Sequence, residues 1–294
     1  MVIKKSLGEK VFDCANVGFM IVLMMTMLYP LIHVFAASFS NSDQLMLHKG
    51  MLFWPVGFNT GAYKMVFNNA NILNGYKVTI FIVVVGTAIN IFMTSLGAYV
   101  LSRRDLYIRS FLMKFVVFTM FFSGGIIPFY LVVNNMLKLG NNLMALILPV
   151  AISTWNLIIM RTYFMGIPAS VEESAKIDGA NDFTVLFRII LPLSMPVVAV
   201  LILFYGVGHW NAWFHSVIFI RERNLYPLQL ILREILIMNS SDSMMISTGN
   251  ADKEALAESI KYATIVIATV PILFVYPFLQ KYFVQGIMVG AVKG

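Results

Sequence analysis

Residues 78–101 read VTIFIVVVGTAINIFMTSLGAYVL, 24 positions without a charged side chain. At about 1.5 Å per residue, a helix of this length crosses the roughly 30 Å hydrocarbon core of a bilayer. Its apolar residues fall on all sides, as expected of a helix surrounded by lipid or by other helices. Five further apolar stretches flank it, near Cys14–Ala37, Phe111–Val133, Leu143–Tyr163, Ile189–Phe214 and Tyr262–Phe283. Several carry breakers: Gly124-Gly125 with Pro128, Pro149, Pro196, and Pro271 with Pro277. Kinks survive in a membrane when neighbouring helices satisfy the freed backbone groups. The expected fold is an all-α membrane protein with six transmembrane helices.

Composition agrees. Of 294 residues, 59% are hydrophobic and 12% charged, and the mean hydropathy is +0.82. Soluble domains carry roughly 25% charged residues, so a water-soluble enzyme is excluded. The net charge of +7 does not indicate nucleic acid, because Lys and Arg are spread over the short connections and form no patch. The single cysteine, Cys14, allows neither a disulfide framework nor a cysteine metal site, and no metal site is expected.

The basic start (Lys4, Lys5, Lys10) and Val34-Phe35-Ala36 have the outline of a secretory signal. The apolar run exceeds the roughly 7–15 residues of a signal core, so the first helix is expected to remain uncleaved. With six spans, those lysines share one side with Arg103, Arg104, Arg109, Arg161, Lys176, Arg188, Lys281 and Lys293. The positive-inside rule makes that side, and both termini, cytoplasmic. No GxxxxGK[ST] phosphate cradle is present, so ATP hydrolysis by this chain is not expected. Ion-coupled carriers place Asp, Glu or His inside their spans. The nearest candidate is His209, for which a hydrogen-bonded structural role is the simpler reading.

The connection Arg161–Arg188 is the least loop-like. Pro168 suits a first helical position, and Glu172 and Glu173 fall early in the helix, where acids suit the macrodipole. Glu172 and Lys176 stand at i,i+4, and Gly179 is placed to end the helix in the left-handed conformation. Asp182 is placed to cap a second helix carrying Phe183, Leu186, Phe187 and Ile190. The segment reads as a helix–turn–helix at the membrane surface, with a small-residue knob on Ser174, Ala175, Gly179 and Ala180. An interfacial helix pair without a docking role has the same periodicity.

Glu173-Ser174-Ala175, then Gly179 after three residues and Ile189-x-Leu191-Pro192 after nine more, resemble the EAA loop (EAA-x3-G-x9-I-x-LP) of binding-protein-dependent ABC importer permeases. Ser174 replaces the usual Ala and keeps a small side chain. Trp210-Asn211-x-Trp213-Phe214 and Tyr226-Pro227-Leu228 are similar to features of carbohydrate-type permeases. The end, Gln280–Gly286 and Gly290–Gly294, resembles the tail of the six-span maltose-type permease. The likeness runs from about Asn74 onward and is weakest over Ser38–Asn74. Ser123-Gly124-Gly125-Ile126-Ile127-Pro128 looks like the branch serving larger or uronate-containing oligosaccharides.

The resemblance implies the second of two permease subunits of a sugar importer, with the type I (MetI-like) permease fold, in the cytoplasmic membrane of a prokaryote. It implies three segments: 1–73 with the first helix and an outer loop, 74–283 as the transmembrane domain, and 284–294 as a cytoplasmic tail. The implied partners are a different permease, an ATPase homodimer that holds ATP and Mg, and an extracellular or periplasmic solute-binding protein. This chain itself would hold no cofactor. Coupling to the ATPase is implied for Glu173, Ser174, Ala175, Asp178, Gly179, Ala180 and Pro192, with Glu173 facing a basic residue of the ATPase. Glu172 is read as a solvated helix charge.

The tail residues Gln285, Gly286 and Lys293 either contact the ATPase or belong to a frayed terminus. The polar stretch Asn239–Glu258 either reaches the binding protein or is an ordinary solvated connection. Asn90, Asn156, Trp210, Asn211 and Trp213 are candidates to line the translocation path by stacking and hydrogen bonding. Trp also collects at membrane interfaces for unrelated reasons. The rival readings are an ion-coupled secondary carrier and a membrane enzyme acting on lipid-linked substrates, the latter resting on Asp105 beside Arg103-Arg104.

Overall fold

The computed structural model describes residues 6–103, 105–237, 257–275 and 277. Lys4, Lys5, Arg104, Lys281, the stretch 239–256 and the tail residues Gln285, Gly286 and Lys293 lie outside the described residues. In chain order the helices are α1 (Leu7–Ser38), α2 (Ser42–Leu47), α3 (Gly61–Asn68), α4 (Ala70–Ser102), α5 (Arg109–Phe121), α6 (Ile126–Leu131), α7 (Met144–Ile147), α8 (Thr154–Met165), α9 (Ala169–Ile177), α10 (Asp182–Thr184), α11 (Leu191–Leu193), α12 (Met195–Asn211), α13 (Phe214–Phe219), α14 (Leu228–Ile237) and α15 (Ala257–Val275). The described residues contain no strand beyond one isolated bridge, Ser40 to Phe58.

α1, α4 and α15 are each long and apolar enough to span a bilayer. The other three expected spans are not the straight helices that hydropathy suggests. α5 meets 126–136 at 111°, 144–150 meets α8 at 50°, and 182–193 meets α12 at 87°. Counting each pair as one span gives up to six crossings.

Each bend has a local cause. Gly125 sits at φ +83°, a conformation that only glycine adopts readily, and Pro128 follows in the first turn of α6. Pro149 lies in the tightened turn Leu148–Val150. Ser194 stands between Pro192 and Pro196, neither of which can donate a helix hydrogen bond. The expected span Ile189–Phe214 is therefore divided, and only α12, of 17 residues, runs in the new direction.

The chain divides into two compact units. In the unit Met1–Ala70 with Glu234–Thr269, Ser6 and Glu9 form a capping box that starts α1. Ala36, Ala37 and Leu52 form its small core, with Leu45, Val56 and Tyr262 packed against them. Ser40 Oγ donates to the Ala36 carbonyl and accepts from the Val56 N–H, and Phe39 stacks on Phe58 and Tyr63, so the segment after α1 folds back on itself.

In the unit Asn71–Arg233 with Val270–Gly294, α4 is the common partner. Asn90 is fully buried, and its amide nitrogen donates to the Val150 and Ala151 carbonyls at 2.7 and 2.9 Å. Its oxygen accepts from His209 Nε2 at 2.6 Å. With both amide hydrogens committed to carbonyls, the oxygen must face His209, which assigns the proton to Nε2. One turn further, Thr94 Oγ1 meets the Tyr205 hydroxyl at 2.8 Å, and that hydroxyl accepts from the Ser153 N–H at 3.0 Å. Val150, Ala151 and Ser153 carry backbone groups freed where α7 gives way to α8, so α4 and α12 supply what the break removes. Gly86 makes room for this knot, since a Cβ there would stand 2.6 Å from His209 Nε2. His209 is thus a hydrogen-bonded structural histidine.

At the other end of α4, Thr79 Oγ1 accepts from the Leu228 N–H at 2.8 Å. A Cβ on Gly75 would stand 2.6 Å from Ile231 Cδ1, so the Tyr226-Pro227-Leu228 segment seats α14 against a glycine. The Thr87 hydroxyl, buried on the same helix, has no hydrogen-bond partner. Unsatisfied buried polar groups cost about 1–3 kcal/mol each. Asn90→Leu is therefore expected to destabilise the protein by about 2–4 kcal/mol, and Thr87→Val by less than about 1 kcal/mol. Thermal unfolding in detergent checks this contrast, and equal shifts for the two variants would contradict it.

Candidate functional site

The connection between α8 and α12 is a built structure. Pro168 occupies the position before the first helical residue of α9, one residue earlier than expected, with φ −58° and ψ 136°. At the other end the Ala180 N–H bonds the Ala175 carbonyl and the Gly179 N–H bonds that of Lys176. These two bonds close a Schellman cap, and Gly179 takes the left-handed conformation at φ +83° as expected. Asn181, not Asp182, caps the following helix: its side chain accepts from the Thr184 N–H at 2.8 Å. Asp182 is thereby free to approach Lys176 Nζ at 3.4 Å and the Tyr99 hydroxyl at 3.5 Å. α10 continues through a π turn, Val185–Ile190, into α11, burying Leu186 and Ile190 and leaving Phe183 exposed.

α9 has two faces. Ala175 belongs to a buried cluster that includes Tyr99, Leu101, Phe164, Val185 and Leu186, and Ala180 packs against the same cluster. The expected knob of four small residues is therefore split, because Ala175 and Ala180 fill this chain's own core. Glu173, Ser174, Ile177, Asp178 and Gly179 form the exposed face, with Ile177 86% exposed, and Pro192 is exposed further along.

Glu172 is not the solvated charge that its position suggests. Its side chain is only 12% exposed and forms an ion pair with Arg103. The Tyr99 hydroxyl donates to it at 3.0 Å, and Lys176 Nζ stands 3.2 Å away. The Arg103 guanidinium lies over the Tyr99 ring, 4.5 Å from its centre, and donates to Ser102 Oγ. Arg161 Nε donates to the Leu101 carbonyl at 2.8 Å. The end of α4 is thus gripped by side chains from the connection and from α8. The i,i+4 spacing shows Lys176, but nothing local shows Arg103, nearly seventy positions upstream.

A second concentration of polar groups surrounds a cavity of about 330 Å³ whose wall includes Ser153, Asn156, Tyr205, His209, His215 and Ser216. Of the five expected path residues, only Asn156 reaches it. Asn90 spends its amide on the knot described above, and Trp210 lines a different, almost wholly apolar groove of about 580 Å³ along α4, α12 and α15. Asn211 is exposed at the end of α12, and Trp213 lies under the Arg233 guanidinium, 4.9 Å from its ring centre. Ser153, Tyr205, His215 and Ser216 are the lining residues that sequence alone did not single out. The Trp210-Asn211-x-Trp213 pattern and its aromatic content point to the end of α12 but not to the broken segment that faces it. Among the described residues, no three His, Cys, Asp or Glu side chains converge on a common point.

Comparison with known proteins accords with this architecture. Residues 93–289 match the family described as binding-protein-dependent transport system inner membrane component. The chain is 44% identical to the polygalacturonan/rhamnogalacturonan transport system permease protein YtcP of Bacillus subtilis (strain 168), covering 97% of this chain and 99% of that protein. It is 43% identical to protein LplC of the same organism, over 97% of this chain and 96% of the relative. A crystal structure of a bacterial ABC transporter that imports the acidic polysaccharide alginate contains a similar chain, with a TM-score of 0.86, 30% identity, and coverage of 96% of this chain and 100% of that one. The chain belongs to the family of inner-membrane components of binding-protein-dependent transport systems.

Proposed function

We propose that this chain is one of two different permease subunits of an ABC importer, carrying an oligosaccharide across the cytoplasmic membrane of a prokaryote. The three long helices and the three bent pairs then make six crossings with both termini in the cytoplasm, the transmembrane domain spans 74–283, and 284–294 is a cytoplasmic tail. ATP and Mg bind a separate ATPase homodimer, and a solute-binding protein delivers the sugar outside. A uronate-containing oligosaccharide is the substrate class, a reading supported by the relatives named above for rhamnogalacturonan and alginate.

The observation that carries the docking role is the exposed face of α9. Glu173, Ser174, Ile177 and Asp178 point away from the chain's own core on a short helix closed at its end by the Gly179 cap. A charge-assisted contact from Glu173 to a basic residue of the ATPase would contribute about 1.5–3 kcal/mol. Gln285, Gly286 and Lys293 would add a second contact from the tail. The path would run past Asn156, in the polar cavity. Membership of a transport family argues against a membrane enzyme, and the commitment of His209 to Asn90 argues against an ion-coupled carrier.

Purification from native membranes in mild detergent tests the assembly. Wild type is expected to retain an ATPase and a second permease, and Glu173→Lys to lose at least tenfold of the ATPase while folding normally. Wild type emerging alone would refute the importer, and full ATPase retention by Glu173→Lys would refute the docking face. Asn156→Ala is expected to keep the ATPase but lower uptake of a galacturonate trisaccharide at least fivefold. Unchanged uptake would remove the cavity from the path.

A further inference from the structure

We propose that Glu172 is a positioning residue that locks the docking helix α9 to the end of α4, so that displacement of the loop is delivered to α4 without side-chain slack. The proposal rests on the importer reading above and deepens it. Neighbouring residues on a helix point about 100° apart, so Glu172 and Glu173 face different partners. Glu173 faces outward and is exposed, whereas Glu172 turns inward.

An ordinary surface ion pair would transmit little, because its long side chains rearrange freely in water. Three features set this pair apart. Glu172 and Arg103 are only 12% and 20% exposed. Glu172 has three partners on two elements: Arg103 and Tyr99 at the end of α4, and Lys176 on its own helix. Arg103 is itself held, by the face of Tyr99 and by Ser102 Oγ, and its carbonyl accepts from Arg109 at 3.4 Å. Asp182 joins the group from α10 as a second acid, beside Lys176 and Tyr99.

What the clamp grips matters as much. α4 is a single helix of 33 residues, about 50 Å long. Twelve to thirteen residues before Arg103 and Ser102 it carries Asn90, which holds the broken segment and His209 at the wall of the polar cavity. A shift of α9 therefore has a continuous, hydrogen-bonded route to the cavity.

The test uses the complete importer in proteoliposomes, with its ATPase, second permease and binding protein, and a galacturonate trisaccharide as probe. Glu172→Gln is expected to retain the ATPase and to keep basal ATP hydrolysis within twofold of wild type. Its uptake should fall at least tenfold, with fewer sugars imported per ATP. Tyr99→Phe, which removes one hydroxyl, should lower that ratio two- to threefold. Glu172→Arg should uncouple fully, and adding Arg103→Glu should restore part of the ratio, limited because the exchanged charges oppose both helix dipoles.

Uptake by Glu172→Gln within twofold of wild type would overturn the proposal. So would loss of the ATPase from that variant, which would make Glu172 a docking residue. A fall in uptake with an unchanged sugar-to-ATP ratio would reduce it to a structural role and overturn the proposal too. Wild type that neither binds the ATPase nor imports the probe would instead refute the importer reading on which it rests.

Discussion

Backbone groups freed by a break in a membrane helix have no water to turn to, and satisfying them inside the protein is the constraint on which the larger unit depends. Among the described residues, three helical pairs are bent by 50° or more. At the break between α7 and α8 the freed carbonyls of Val150 and Ala151 go to Asn90, and the freed Ser153 N–H goes to Tyr205. Both donations require α4 and α12 to present polar side chains at fixed heights, and Gly86 to leave space between them. A buried asparagine that makes three hydrogen bonds is thus a structural necessity of the bend.

The same helix that meets this demand joins the two functional places. Its beginning seats α14 through Gly75 and Thr79, its middle holds the cavity wall, and its end is gripped by Glu172 and Arg161. Ser153, Tyr205 and His209 line the cavity and are also members of the hydrogen-bonded knot around α4. A change at the loop that moves α4 would consequently alter the lining of the cavity, with no need for a separate relay. Conversely, the exposed face of α9 makes none of these bonds, which leaves it available to a partner.

Much of this was legible in the sequence, and the omissions have a common cause. Span positions follow from apolar run length, and the left-handed Gly179 follows from the small-residue turn around it. The bends were legible as Gly124-Gly125 with Pro128, Pro149 and Pro196, but not their angles, because hydropathy averages over a window and registers no direction. The roles of Glu172 and Asn90 were not legible. Each depends on a partner far away in the chain, Arg103 for the first and His209 for the second, and local spacing carries no information about such pairs. Asp182 lost its expected capping role to the adjacent Asn181, a competition between two good capping residues that composition alone cannot decide.

The central claim is that α9 and the end of α4 move as one body. Replacing Cys14, the chain's only cysteine, by serine allows spin labels to be placed at Ser170 in the first turn of α9 and at Val100 near the end of α4, both exposed. Their separation is then measured in the assembled importer without nucleotide and with ATP bound. If α9 and the end of α4 move together, the distance distribution is the same in both states, even as labels on this subunit and its partners move apart or together. A shift of several ångströms between Ser170 and Val100 would contradict it.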